Sequence, residues 1–234
     1  MLQLVLDRKS RSRLLAMHSS LRPAALKPRP KKGISDQDFA AIQTGGQFTT
    51  EWFTADNARI WLEAFEPFRN QIRNVLEIGS WEGRSARFIA WLFPEAHITC
   101  VDTFEGGDEH KLLEPYAGNV SSIEERFRAN TAHFADRLTV LKGGSAQVLS
   151  SLEGNYDFVY VDGSHAYGDV LVDTLLSWQR LPPGGFMVWD DYFWSMKKVY
   201  GRLKPKLAID QFLSAHRGKY RVLFAWSQVG IQHL

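Results

Sequence analysis

A chain of 234 residues, 44% apolar and 23% charged, has the make-up of a soluble globular protein, with length for one sizeable domain and an appendage. No apolar run approaches the roughly 18 residues of a membrane span, and Asp7 with the basic residues after it ends the apolar start too early for a secretory leader. Cys100 is the only cysteine, which excludes an internal disulfide and points to a reducing, cytoplasmic setting.

The net charge of +2 divides unevenly. Residues 1–32 hold nine Lys or Arg against Asp7 alone and carry +8, leaving −6 on the remainder. Pro23, Pro28 and Pro30 exclude a long helix there. Residues 1–34 read as a basic arm, loosely docked or poorly ordered; an anionic-surface or nucleic-acid contact and an organelle transit peptide are the other readings its composition permits. No basic patch interleaved with aromatics follows it, which ranks nucleic acid low as a partner.

Residues 35–70 read as a helical cap. Ser35 N-caps a helix to Ile42, Thr44-Gly45-Gly46 turns the chain, and apolar residues at helical spacing mark Ala55–Phe65, closed by Pro67. Trp52, Phe53, Trp61 and Phe65 read as packing, with the option of covering a cofactor mouth.

From residue 71 to 234 strands and helices alternate. Strands are expected at Asn74–Ile78, His97–Val101, Leu138–Leu141, Tyr156–Val161 and Phe186–Trp189. Helices fall between them at about Gly83–Phe93, Ile123–Phe134, Ala146–Leu152 and Tyr167–Leu181. A helix at Leu207–His216 and an antiparallel pair, Tyr220–Ala225 with Val229–His233, complete the chain. Such alternation implies an α/β, Rossmann-like doubly wound sheet, mostly parallel, with helices on both faces.

The first strand runs into Glu77-Ile78-Gly79-Ser80-Trp81-Glu82-Gly83. Gly79 permits a sharp turn and close approach of a ligand to the backbone, while Gly83 permits tight helix–strand packing. Trp81 stands where a dinucleotide fingerprint needs its second glycine, which argues against an NAD enzyme. Asp102 ends the second strand, where an acid accepts hydrogen bonds from ribose hydroxyls. Gly143-Gly144-Ser145-Ala146 follows the third strand, a small-residue turn that an adenine ring can approach.

Two buried strands end in acids. Phe158-Val159-Tyr160-Val161 stops at Asp162, and Phe186-Met187-Val188-Trp189 stops at Asp190-Asp191. Ligands bind beyond the carboxyl ends of such strands, so these acids are placed to converge on a hard cation or a cationic ligand. The alternative is that Asp190-Asp191 caps the next segment and Asp162 meets a cofactor amine. His165, three residues past Asp162, is a candidate general base, or else a helix cap or cofactor contact. Residues 104–120 read as a lid or substrate loop, in which His110 is a second base candidate or a solvated loop histidine.

VLEIGSWEGRSA, ITCVDTFEGG, LKGGSA, YDFVYVDGSHAY and LPPGGFMVWDDY together resemble the class I S-adenosylmethionine-dependent methyltransferases. The nearer resemblance is to the metal-dependent branch that methylates macrolide sugars and cephalosporin precursors. It covers about residues 70–234 and implies seven strands, the last antiparallel. It further implies that Glu77, Gly79, Ser80 and Gly83 line the methionine and ribose part of the cofactor, with Asp102 on the ribose and Ser145 near the adenine. Trp81, Thr103, Gly144, Ala146 and Asp162 complete the expected cofactor set. By the same resemblance Asp162, Asp190 and Asp191 bind Mg²⁺; Ser164 stands where some of those enzymes place an acidic base, so that role does not carry over. Asp162 and His165, the latter by its position and imidazole chemistry, are the candidates for carrying the chemistry. The implied activity is O-methylation of a small hydroxylated molecule, a sugar or secondary metabolite. Metal-independent N-methylation and a non-catalytic cofactor-binding or nucleic-acid-associated module remain the alternatives. The acceptor and oligomeric state, a homo-oligomer included, are left open.

Overall fold

A computed structural model describes residues 33–107, 110, 120–194 and 204–234. The basic arm at 1–32 and most of the expected lid loop lie outside the described residues. Seven strands form one sheet in the order β3-β2-β1-β4-β5-β7-β6. They are β1 (Asn74–Ile78), β2 (His97–Asp102), β3 (Leu138–Lys142), β4 (Phe158–Val161), β5 (Phe186–Trp189), β6 (Tyr220–Ala225) and β7 (Val229–His233). The first five are parallel, and β7 lies antiparallel between β5 and β6. The expected Rossmann-like sheet and its terminal hairpin are therefore present. Strand order reverses between β1 and β4, which makes the carboxyl ends of those two strands the topological switch point where this architecture binds ligands.

The described α-helices are α1 (Asp36–Ile42), α2 (Ala55–Phe65), α3 (Arg84–Leu92), α4 (Ile123–Thr131), α5 (Ser145–Ser151), α6 (Tyr167–Trp178) and α7 (Pro205–Ala215). Ser35 caps α1 as expected, its Oγ accepting from the Asp38 amide at 3.0 Å. The helix expected over Ile123–Phe134 stops at Thr131 and tightens into a 3₁₀ segment, because Phe134 leaves helical backbone angles to enter the core. Helix α7 begins two residues earlier than expected, since Pro205 fits a first helical turn that needs no amide donor.

Alternation along the strands divides the core by sheet face. Val75, Ile98, Cys100, Phe158, Tyr160, Phe186 and Val188 face α2, α3 and α4, while Leu76, Val101, Val159, Val161, Met187 and Trp189 face α5, α6 and α7. The cap helix α2 shares the first of these cores. Trp61 meets Phe158 and Tyr160 edge-on at 5.2 and 4.8 Å, and Phe65 meets Phe158 and Phe186 at 5.0 and 5.3 Å. Truncating either ring to Ala would cost about 3–5 kcal/mol. The cap is thus part of the frame that positions β4 and β5.

Candidate active site

The turn after β1 is shaped first by its neighbours. Gly79 has φ +85°, and a Cβ there would lie 2.1 Å from the Asp162 carbonyl oxygen and 2.6 Å from Gly163 Cα. The backbone that approaches Gly79 is therefore the end of β4. Gly83, at φ +80°, faces Thr131 and Phe127, where a Cβ would come within 2.9 and 3.1 Å. The tight packing it permits is helix on helix, α3 against α4, rather than the helix–strand packing expected from the motif.

Asp102 ties two turns together. Its carboxylate accepts from the Trp81 amide at 2.7 Å and from the Phe104 amide at 2.6 Å. Both donor residues have positive φ, 48° and 57°, which non-glycine residues adopt only when their surroundings hold them there. Glu82 anchors the turn from the other side. It is buried and accepts from the Thr49 amide and hydroxyl, both at 2.6 Å, and from Arg126 Nε at 2.6 Å. This latch brings Trp52, 45% exposed, over the turn: its ring lies 4.9 Å from Trp81 and 5.1 Å from His110. His110 is not a solvated loop histidine. It is buried, stacks on Trp81 at 4.7 Å and accepts from the Gly107 amide through Nδ1 at 2.9 Å.

Glu77 is fully buried inside β1, and burial pushes its carboxyl above the usual range. Ser80 and Ser85 lie beside the Glu77 carboxyl and offset its rise in part, while among the described residues Trp81 Nε1 is buried without a hydrogen-bond partner, a donor that a polar ligand at this turn would satisfy. Gly144 precedes α5, placing Ser145 and Ala146 in its first turn beside the end of β3. Thr103 Oγ1 accepts from the Glu105 amide at 3.2 Å, which holds the start of the 104–107 turn.

The acids lie one strand over. The Asp162 amide bonds to Ile78 O at 2.8 Å and the Asp190 amide to Val161 O at 3.0 Å, so β1, β4 and β5 deliver their ends side by side. Asp191 then takes φ +53°, a left-handed conformation that Asp tolerates better than most residues. Its carboxylate meets His165 Nε2 at 2.6 Å, and Trp194 covers the imidazole at 4.4 Å. Ser164, not His165, serves the start of α6: its Oγ accepts from the Ala166 amide at 3.1 Å and donates to Asp169 at 2.6 Å.

Among the described residues, Asp162, His165 and Asp191 bring one ligating atom each to within 4.8 Å of one another. Asp190, the third acid of the expected set, is turned elsewhere. Its Oδ2 accepts from the Tyr160 hydroxyl and from Gln228 Nε2 at 2.8 Å, and its Oδ1 accepts from the Asp191 amide at 2.7 Å. Burial and the neighbouring Asp191 push the Asp190 carboxyl up to about 6. Burial, with Asp190 and Asp191 alongside, holds Asp162 well above the ordinary range. Asp162, His165 and Asp190 also wall a cavity of about 10 Å³, room for on the order of one water or ion.

The methyltransferase-domain family profile matches residues 76–192, half of the chain, across the Gly79–Gly83 turn, Asp102 and all three strand-end acids. The chain belongs to the methyltransferase-domain family. An uncharacterized protein of Acanthamoeba polyphaga mimivirus is 28% identical over 123 residues; the match spans 44% of this chain and 56% of the viral protein. Solved structures share the fold at low identity. The MycE methyltransferase of the mycinamycin biosynthetic pathway, in complex with Mg, SAH and mycinamycin VI, superposes with a TM-score of 0.58 at 16% identity, over 98% of this chain and 62% of its own. The O-methyltransferase TomG of Streptomyces achromogenes, in complex with SAM, gives 0.59 at 15%, over 87% and 92%. SAH-bound PaMTH1 of Podospora anserina gives 0.56 at 15%, over 100% and 99%. No helix among the described residues is long and apolar enough to cross a membrane.

The donor set of the cluster fits a hard divalent cation. Two carboxylates with an imidazole beside them suit Mg²⁺ or Mn²⁺, which keep several waters and need few protein ligands. The sequence reading missed Tyr160, Gln228 and Trp194 as parts of the site and gave Trp61 as packing or a cofactor cover, not as a partner of Gln228. Only Tyr160 carried a signal, its position two residues before Asp162 on the same side of β4.

Proposed function

We propose that this methyltransferase transfers the methyl group of S-adenosylmethionine to a hydroxyl of a small molecule, with a divalent cation on the strand-end acids. The observation that carries the reading is the Asp162–His165–Asp191 cluster at the switch point, backbone to backbone with the Gly79 turn. The sulfonium supplies an electrophilic methyl group, and a divalent cation, when bound, makes an acceptor hydroxyl more acidic and fixes its oxygen.

The chain's own residues do the rest. Glu77, Gly79, Ser80, Trp81 and Gly83 form the donor turn, which Asp102 and Glu82 hold rigid through backbone and side-chain bonds. Thr103, Gly144, Ser145 and Ala146 lie at the ends of β2 and β3, where ribose and adenine are accommodated in this reading. Asp162 and Asp191 supply oxygen ligands, with Asp190 behind them. His165, oriented by Asp191 at 2.6 Å and by the Trp194 ring, takes the acceptor proton. In-line displacement needs little more than this orientation, since positioning alone supplies roughly 7–11 kcal/mol in favourable cases.

The test is methyl transfer from labelled S-adenosylmethionine to a panel of catechols and free and glycosylated sugars, in Mg²⁺ and in EDTA. Products should be methyl ethers whose formation stops in EDTA and resumes with Mg²⁺. Undiminished turnover in EDTA or in Asp191→Ala would remove the cation from the reading, and methylated amines would replace oxygen with nitrogen.

A further inference from the structure

Beneath the acids runs a buried hydrogen-bond relay that the methyl-transfer reading leaves unused. Tyr160 on β4 and Asp162 just beyond its end sit two residues apart in chain that continues the strand, so both side chains leave the same face, and the pairing of β4 with β5 brings Asp190 to the same place. The Tyr160 hydroxyl lies 3.0 Å from Asp162 Oδ2 and is also hydrogen-bonded to Asp190 Oδ2. It touches both carboxylates from below.

A phenol has a single proton and cannot donate to two acceptors at once. Gln228, in the turn between β6 and β7, adds the second donor: its Nε2 reaches Asp190 Oδ2 at 2.8 Å and lies 3.4 Å from the Tyr160 oxygen. The orientation of that amide is set by Trp61 on α2, whose indole N–H, a donor only, bonds to Gln228 Oε1 at 2.7 Å. With Oε1 committed to Trp61, the amide nitrogen must face the acid. Trp61, Tyr160 and Gln228 are all fully buried, and the Tyr160 ring is packed edge-on against Trp61 and Phe53 at 4.8 and 6.4 Å. A phenylalanine would fill that space equally well. The hydroxyl therefore donates only toward the two carboxylates, with the Gln228 amide at its oxygen, and it meets them in surroundings where a misdirected polar group is costly.

We propose that Tyr160 is a positioning residue for the cation seat: aligned by Gln228 and Trp61, its hydroxyl holds the Asp162 side chain in the orientation that receives the ion, with Asp190 fixed behind it. The inference rests on the cation-assisted reading above and extends it, since the seat is then preset by the cap helix and the terminal hairpin, neither of which supplies a ligand. Hydrogen-bonding partners behind metal ligands typically contribute about 10–100-fold to ion affinity.

The test uses the full chain stripped of divalent ions and needs no acceptor. Mn²⁺ binding is followed by loss of the free-ion electron paramagnetic resonance signal, and S-adenosylhomocysteine binding by calorimetry, with circular dichroism melts to establish folding. Tyr160→Phe should weaken Mn²⁺ binding about 10–100-fold while S-adenosylhomocysteine affinity stays within about twofold. Gln228→Leu and Trp61→Phe, which break the relay farther from the acids, should weaken Mn²⁺ by a few-fold each, and they carry the test if Tyr160→Phe does not fold. Mn²⁺ binding by Tyr160→Phe within twofold of wild type would overturn the proposal and leave the cation reading intact. Equal losses of Mn²⁺ and S-adenosylhomocysteine binding would also overturn it, because they mark a general disturbance of the core. Absence of Mn²⁺ binding by the wild type would overturn the cation reading and this inference with it.

Discussion

Gly79 and Asp162 meet backbone to backbone: a Cβ on the glycine would stand 2.1 Å from the carbonyl oxygen of the aspartate. The turn expected to hold the methyl donor and the strand end that presents the acids are thus one packed unit. Neither can shift without the other, and in the proposed reaction, which depends on alignment, this contact would fix the geometry between donor and acceptor.

Gly79→Ala should damage both halves together. The substitution forces a side chain into a φ of +85° and into backbone that has no rotamer by which to yield. We expect a loss of about 2–4 kcal/mol in stability, read by denaturant melts, with S-adenosylhomocysteine and Mn²⁺ affinities falling in parallel. A variant that melts like the wild type and binds both ligands normally would show that the contact is dispensable.

His165→Ala separates a base from a ligand. As the base, His165 contributes about 10²–10⁴-fold to turnover, and its removal leaves Mn²⁺ affinity nearly unchanged. Added imidazole should restore part of the rate, because the cavity left between Asp191 and Trp194 can accept the ring. A large loss of Mn²⁺ affinity without imidazole rescue would move His165 from the base to the ligand set.

Asp173 predicts how stability varies with pH. The side chain lies buried on α6, and burial raises its carboxyl from 3.8 to about 7, a rise that the neighbouring Ser145 hydroxyl offsets only in part. The folded chain therefore keeps a proton that the unfolded chain has released above pH 3.8. Stability from this group is retained at low pH, falls as pH rises from about 4 to 7, and is level beyond. Asp173→Asn preserves shape without ionising. It should match the wild type near pH 4 and exceed it at pH 8 by about 3–4 kcal/mol, measured by urea melts across that range. A variant less stable than the wild type at pH 8 would mean that the Asp173 carboxylate is stabilised by a partner.

The strand ends could be read from the chain because their signals are local. Continuous apolar runs such as Phe158–Val161 and Phe186–Trp189 suit strands buried on both faces, and parallel strands of one sheet bring their carboxyl ends to one edge. That placed Asp102, Asp162, Asp190 and Asp191 together with the glycine turn. The reading of Gly83 erred on the partner, and that of His110 on burial, since both depend on chain from α4 or Trp81 arriving from elsewhere.

What the sequence determined by itself was the sheet, its switch point and the residue types gathered there, all consequences of periodicity and of where runs stop. Which acid faces which partner was decided by the tertiary structure alone. The left-handed backbone at Asp191 turns one carboxylate to His165, and Gln228, held by Trp61, draws the other toward Tyr160. These contacts join residues up to 167 positions apart, and a hydrogen bond's direction depends on where both ends arrive in space. No pattern within a strand or a turn carries that information.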